Sequence, residues 1–302
     1  MQTQQERHPQ RIGLIGVGLM GHGIAFNIQK HGHPLAVLAH AGNQPIDDLV
    51  AAGATVLDTP ADLAATVDVL LLCVTGSPQV EAVLLGEGGA LTTLRPGSVV
   101  IDCSTAIPTS TERLAARVAE AGGRFMDAAM TRTPKEAAEG RLNLLVGADE
   151  ALFAQCLPLL KCFAENITHV GPVGAGHRMK LLHNYVSLGS VALIAEAAAC
   201  AARAGVAPEV FVDVLAKGGG GGMALERLKP FLLAGDASGL RFAMSNAVKD
   251  LGYYATMAED GHAARAIAEG VRRTFDDAVA HGDPQALVPE LVALLTRRGD
   301  GR

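Results

Sequence analysis

Apolar positions recur along this chain with two different periods, and the change between them divides it. In the first half, short apolar runs alternate with segments of helical spacing. Arg11 to Ile15 reads as a strand, and HGIAFNIQKHG after it has helical periodicity and a closing glycine. The strand PLAVLAH comes next, then a helical PIDDLVAAG, a short strand at Ala54 to Leu57, a helix from Pro60, the buried strand DVLLLCV ending at Val74 and a helix near Gln79. SVVIDCST, a helix through PTSTERLAARVAEAG and the strand RFMDAAM continue the alternation. RLNLLVGADEALFAQCLPLLKCFAENITHVG supplies a strand, a helix and a final short strand. Strands alternating with helices predict an α/β fold with a parallel, doubly wound sheet.

From Gly174 to Gly205 the pattern becomes GAGHRMKLLHNYVSLGSVALIAEAAACAARAG, rich in the residues that cost least in a helix. After its opening glycines only Gly189 interrupts it, so it is predicted as one long helix. Beyond it VAPEVFVDVLAKG, ALERLKPFLLAG, SNAVKDLGYYATMAEDG and HAARAIAEGVRRTFDDAVAHG all read as helices, with no strand among them, and the tail RRGDGR is expected to fray. The predicted organisation is a sheet domain over residues 1–173 and an all-α domain over 174–302, with the long helix as junction. The run Gly218 to Gly222 falls between two helices. It reads as a flexible connection or, more sharply, as a lid that keeps water from a site.

A length of 302 residues fits two domains better than one. The net charge of −6 argues against nucleic acid or anionic membrane as a general partner. Apolar runs such as VDVLLLCV fall short of the roughly 20 residues that span a bilayer, and the start MQTQQERHPQR lacks the apolar core of a secretion signal. A cytoplasmic protein with no membrane partner is expected. Cys73, Cys103, Cys156, Cys162 and Cys200 are scattered without CxxC spacing, which predicts buried reduced thiols and no metal.

Candidate chemistry begins at GVGLMG. Gly16, Gly18 and Gly21 form GxGxxG between a predicted strand and a predicted helix, with Leu19 and Met20 inside it. There the first glycine permits the tight turn, the second lets a pyrophosphate reach backbone N–H groups, and the third lets helix and strand pack closely. After the second strand an acid would select NAD and an arginine NADP, but Ala39, His40, Ala41, Gly42 and Asn43 supply neither. NAD and NADP both stay open, and His40 and Asn43 either touch the adenosine or cap a turn. Ligands of such sheets lie beyond the carboxyl ends of the strands, here Val74-Thr75-Gly76, Asp102 to Thr105, and Asp127 through Thr133. On the long helix Lys180 and Asn184 stand four apart on one face, with Ser187 on the same stripe. A cation and an amide aimed alike form a candidate catalytic pair.

With GLIGVGLMG, IDCST, DAAMTRT…EGRLNLLVGAD, GAGHRMKLLHN and VKDL in this order, the chain resembles the β-hydroxyacid dehydrogenase family, which includes 3-hydroxyisobutyrate and tartronate semialdehyde dehydrogenases. The resemblance spans essentially the whole chain and implies a Rossmann domain followed by a helical domain. It implies Lys180 as the catalytic lysine, Asn184 as the amide that fixes substrate, Ser104 and Thr105 near substrate and nicotinamide, and Lys249 reaching the active site. It also implies that the block after Asp127 grips the anionic end of a small substrate, and that the chain pairs through its helical domain as a homodimer.

Two departures matter. Thr131-Arg132-Thr133 replaces the family's Ser-Gly-Gly, a variation similar to the sulfolactaldehyde reductase branch, and an arginine fork suits a sulfonate, phosphonate or carboxylate. The competing reading gives Arg132 a salt bridge at the domain interface. Second, KLLHN carries His183 where most relatives have asparagine, as 6-phosphogluconate dehydrogenase does. That enzyme's glutamate three residues after the asparagine is Ser187 here, so decarboxylation is not expected, and His183 reads as a packed histidine. Imine reduction is disfavoured because those relatives generally lack a lysine at this position. The expected activity is NAD(P)-dependent hydride transfer on a small β-hydroxy acid. A silent nicotinamide-binding redox sensor is the rival, and it gives no reason for the Lys180/Asn184 pair.

Overall fold

The computed structural model describes residues 10–298; of the tail RRGDGR expected to fray, Arg297 and Arg298 end a helix, while its last four residues and the polar start before Gln10 lie outside the described residues. Two compact units divide between Lys180 and Leu181, inside the long helix.

The first unit alternates as its apolar pattern does. In chain order it contains β1 (Ile12–Ile15), α1 (Gly21–Lys30), β2 (Leu35–Leu38), α2 (Asp47–Ala51), β3 (Thr55–Leu57), α3 (Pro60–Thr66), β4 (Val69–Leu72) and α4 (Ser77–Leu85). It continues with β5 (Val99–Asp102), α5 (Pro108–Glu120), β6 (Arg124–Thr131), α6 (Pro134–Ala138), β7 (Leu142–Gly147), α7 (Glu150–Leu160) and β8 (Ala164–Gly171). Proline in the first turn starts α3, α4, α5 and α6, where its missing N–H costs no bond. Asp149 caps α7 by accepting from Leu152 N–H at 2.8 Å.

The eight strands form one sheet in the order β3-β2-β1-β4-β5-β6-β7-β8. Its two faces are covered separately. Val69 and Leu71 of β4 enter one core with α1 and α7, while Leu70 and Leu72 enter another with α3, α4 and α5. A strand buried on both faces reads as a continuous apolar run, which is why DVLLLCV does not alternate.

The sheet departs from the expected all-parallel pairing at one place: β7 runs antiparallel to β6, with Asp127 opposite Gly147 and Thr131 opposite Asn143. Residues 132–141 connect them through the short α6, which the pattern did not reveal. A parallel return needs a crossover of about a dozen residues or more. Strand extents also differ, since β4 stops at Leu72 rather than Val74, β5 stops at Asp102 rather than Thr105, and β8 is eight residues rather than short.

The long helix is α8 (Ala175–Arg203), and the second unit adds α9 (Pro208–Lys217), α10 (Met223–Ala234), α11 (Met244–Asp260), α12 (Ala266–His281) and α13 (Leu291–Arg298). The sequence reading omitted α13 and began α12 four residues early. His262 has φ of 51°, a left-handed conformation that no helix interior accepts. In the glycine run, Gly221 N–H bonds to Gly218 C=O and Gly218 N–H to Leu215 C=O, so this stretch makes a hydrogen-bonded turn after α9.

One expectation on apolar length needs correcting. α8 is long and apolar enough, at a mean hydropathy of 1.6, to cross a bilayer by length and composition alone. Its apolar residues have another use, because Leu188, Val191, Ala192 and Ala195 are buried in the helical core with Leu225, Leu251 and Phe275.

Candidate active site

The glycine loop links β1 to α1, and each glycine there meets a different constraint. Gly16 has φ of 96°, and an added Cβ would stand 2.3 Å from Cys73 C=O. At Gly21 a Cβ would stand 2.0 Å from Gly16 C=O, so strand and helix are in backbone contact there. At Gly18 a Cβ would meet nothing within 4 Å. That space serves no packing within the protein and suits an approaching pyrophosphate. The N-cap of α1, Met20, makes no side-chain cap bond and the first turn carries no acid, so nothing competes with an anion there. These residues fit a dinucleotide. Leu19 beside them is 65% exposed.

Asn43 holds the loop from the β2 side, accepting from Val17 N–H at 3.2 Å and donating to Leu38 C=O at 2.9 Å. His40 accepts from Gly42 N–H at 2.9 Å. Both residues thus make turn-capping bonds.

Next to the loop, the ends of β4 and β5 are tied together. Ser104 accepts Val74 N–H at 3.0 Å through its hydroxyl and donates its own N–H to Asp102 Oδ1 at 2.9 Å. Ser104 is buried, Thr105 half-buried, and Thr75 exposed at the tip of the β4 end. Ser104 thus shapes the floor of the strand ends.

Below them lies a polar cluster that spacing alone did not announce. Asp102, Asp127 and His177 are all buried. His177 Nδ1 lies 2.7 Å from Thr111 Oγ1, while His177 Nε2 and Asp102 Oδ2 face each other at 3.9 Å, each lacking a hydrogen bond. Burial pushes the Asp102 carboxyl above the usual range, against the pull of His177. The acids in VVIDCS and RFMDAAM were visible as charges inside apolar strands, whereas His177 carried no signal. Lys180 follows His177 by one turn of α8 and is half-buried.

At the end of β6 the Thr131-Arg132-Thr133 loop is occupied by the protein's own acids. Arg132 Nη1 pairs with Glu165 at 2.5 Å and also donates to Arg141 C=O. Thr133 N–H and Oγ1 both donate to Glu136 Oε2, at 3.0 and 2.5 Å, forming the capping box of α6. These bonds hold Glu136 and Glu165 below the usual carboxylate range. Thr131 Oγ1 accepts from Asn143 at 3.2 Å. The salt bridge considered for Arg132 at a domain interface therefore forms inside the sheet unit, and the open arginine fork expected from the sequence is already engaged. Arg132 has φ of 83°, a left-handed value that side chains other than glycine rarely adopt.

The helical unit holds a second cluster. Asn184 Nδ2 donates to Asp250 at 2.6 Å, His183 Nδ1 lies 3.0 Å from Asn184 Oδ1, and Lys249 Nζ pairs with Asp250 at 3.1 Å. The ammonium also sits 5.5 Å from the centre of the Tyr253 ring. Asp250, which sequence reading passed over beside Lys249, joins these residues.

Comparison with known proteins follows the same two-part layout. Residues 11–171 match the family described as the NAD binding domain of 6-phosphogluconate dehydrogenase. Residues 174–295 match the family described as NAD-binding of NADP-dependent 3-hydroxyisobutyrate dehydrogenase. 2-(Hydroxymethyl)glutarate dehydrogenase of Eubacterium barkeri is 32% identical over 275 residues, covering 90% of each chain. NAD-dependent L-serine dehydrogenase of Pseudomonas aeruginosa is 33% identical over 222 residues, covering 74% of each. The crystal structure of 3-hydroxyisobutyrate dehydrogenase from Salmonella typhimurium superposes with a TM-score of 0.82 at 28% identity, covering 94% of this chain and 99% of that one. The glycine loop, the α/β layout and these matches agree: the chain belongs to the β-hydroxyacid dehydrogenase family of NAD(P)-dependent oxidoreductases.

Proposed function

We propose that the protein interconverts a small β-hydroxy acid and its aldehyde or ketone, with Lys180 as general acid/base. The observation that carries this is the position of α8. β1, β4 and β5 run parallel and end at one edge of the sheet, where the glycine loop lies. Asp102, the last residue of β5, faces His177, and Lys180 stands one turn further along the same helix.

Gly16, Gly18, Leu19, Met20, Gly21, Val74, Thr75 and Thr105 would hold the dinucleotide, which when bound supplies the hydride acceptor or donor. Lys180 Nζ then moves the one remaining proton. In oxidation the neutral amine accepts it from the substrate hydroxyl; in reduction the ammonium donates it to the forming alkoxide. A lysine near its ordinary pKa of about 10.4 suits the reducing direction at neutral pH. Asn184 and Lys249, coupled through Asp250, are proposed as the helical unit's contribution to the same reaction. Thr131, Arg132 and Thr133 would take the acid head group, whose oxygens must displace the carboxylates of Glu136 and Glu165. Such exchange favours an anion that accepts several bonds at once, a sulfonate or phosphonate over a carboxylate.

Exposed Leu182, Val186 and Leu193 on α8 support pairing of two copies through the helical unit. The cysteines described are all free thiols, as a reducing cytoplasm would keep them.

The test follows the absorbance of reduced nicotinamide over a panel of hydroxy acids, sulfonates and phosphonates. Wild type should turn over at least one member, while Lys180→Ala binds cofactor normally and keeps only a residual rate, lower by roughly 100-fold or more. Wild-type turnover in that variant ends the mechanism.

A further inference from the structure

Asp127 lies inside β6 rather than at its end, fully buried, at a place where a charged side chain needs a reason. The structure makes room for it twice. Its cross-strand partner is Gly147, where an added Cβ would stand 2.5 Å from Asp127 Oδ1. Gly176, in the first turn of α8, would place a Cβ 2.7 Å from Oδ2. Through the gap left by these glycines the carboxylate accepts Gly174 N–H at 2.7 Å and His177 N–H at 2.8 Å.

The first N–H groups of a helix have no partner within it and carry positive charge. α8 has no acid in its own first turn. A strand nearly fifty residues earlier in the chain supplies one, and it grips backbone rather than side chains. The neighbouring contacts, Thr111 with His177 and Glu112 with Arg178, act through side chains.

We propose that Asp127 is a positioning residue for the reaction: it sets the rotation and axial position of α8, and thereby places Lys180 Nζ. This rests on the assignment of Lys180 as the acid/base. From His177 to Lys180 is about 4.5 Å of helix rise with no hinge between, so an error at the anchor is carried to the amine.

The test is a double-mutant cycle of Asp127→Asn and Lys180→Ala, read as kcat, KM and cofactor affinity. The amide is isosteric but offers an N–H donor to one of the two N–H groups, which pushes them apart. A displacement near 1 Å predicts a kcat lower by roughly 100-fold, with KM and cofactor affinity changed by less than about threefold. On the residual turnover of Lys180→Ala, adding Asp127→Asn should cost less than about threefold, because two residues acting through one group are not additive. Asp127→Ser keeps an acceptor for only one of the two N–H groups and crowds nothing, so it should reproduce the kcat loss, which covers the case in which Asp127→Asn does not fold. Asp127→Asn folded with kcat within about twofold of wild type overturns the proposal and leaves Lys180 standing, as does a loss carried in full onto the Lys180→Ala background. Wild-type turnover by Lys180→Ala overturns the acid/base assignment and this proposal together.

Discussion

Gly18→Ala should separate ligand space from packing space in the glycine loop. A methyl group at Gly18 meets no atom of the protein within 4 Å, and its backbone lies outside the left-handed region. Folding should therefore be unharmed, or gain about 0.4–1 kcal/mol from a stiffer unfolded chain. The same methyl would stand where a pyrophosphate approaches the backbone. Losing one charge-assisted bond there costs about 1.5–3 kcal/mol, a weakening of cofactor binding by roughly 10- to 150-fold. Gly16→Ala and Gly21→Ala should behave in the opposite sense. Their methyl groups would lie 2.3 and 2.0 Å from backbone carbonyl oxygens, and Gly16 also needs its φ of 96°. Overpacking costs typically 1–3 kcal/mol and a left-handed side chain about 1–2. At about 2–4 °C per kcal/mol the two variants should unfold several degrees below wild type. Thermal unfolding and fluorescence titration with reduced nicotinamide nucleotides measure both quantities on the same samples. The reasoning is refuted if Gly18→Ala binds nucleotide as tightly as wild type, or if it loses as much thermal stability as the other two.

Three further outcomes follow from the same geometry. Asp68, held down to about 2 by Arg11, with Arg95 also near, contributes stability above the ordinary carboxylate pKa and loses it as pH falls through about 2. Because the pair is more than a third exposed, Asp68→Asn should cost about 1 kcal/mol or less at pH 7, and the difference from wild type should close between about pH 4 and 2 in denaturant titrations. Burial pushes the Cys73 thiol to about 12 and Cys156 to about 11, while Cys200 is exposed. One thiol per native chain should thus react quickly with a disulfide reagent, and labelling of the half-buried Cys73 as fast as Cys200 would contradict the raised thiol pKa. Arg132→Gly removes both a left-handed side chain and a partly exposed ion pair, terms of about 1 kcal/mol each and opposite sign. Stability should stay within about 1 kcal/mol of wild type, while kcat/KM should fall at least about tenfold for sulfonate or phosphonate substrates. An unchanged substrate preference would confine Arg132 to its contact with Glu165.

Much of the fold was legible because each unit's periodicity answers to one kind of burial. DVLLLCV is apolar throughout since both faces of β4 are covered, and the helical spacing after Gly205 reflects a single apolar stripe on each helix. The β6–β7 reversal was not legible, because α6 is only five residues long and direction depends on the length of a connection, not on polarity. His262 ended α11 by a backbone angle that no side-chain pattern encodes. At the site, GxGxxG was readable because three glycines at fixed spacing do three separate things. The fates of Arg132 and Asn184 were not readable. Spacing can place a donor in a loop or on a stripe, but Glu165 and Asp250, the acceptors that engage them, arrive through the fold. Cys200, expected to be buried with the other thiols, is exposed toward the end of α8 for the same reason.

The antiparallel β6–β7 pair makes residues 132–141 an exchangeable cassette. Thr131 and Asn143 face each other across adjacent strands, so both ends of the segment are pinned to the sheet at one point. A lineage can therefore rewrite this loop, or an engineer can transplant one from a relative, without moving a strand or touching the register. Asn27 marks the boundary condition on such swaps. From α1 it donates to the carbonyls of Ala137 and Ala138 at 3.0 and 3.1 Å, and no Cβ fits at Gly23 beneath them. A donor loop must contain a helical turn presenting those carbonyls, or the graft will disturb the helix that follows the glycine loop.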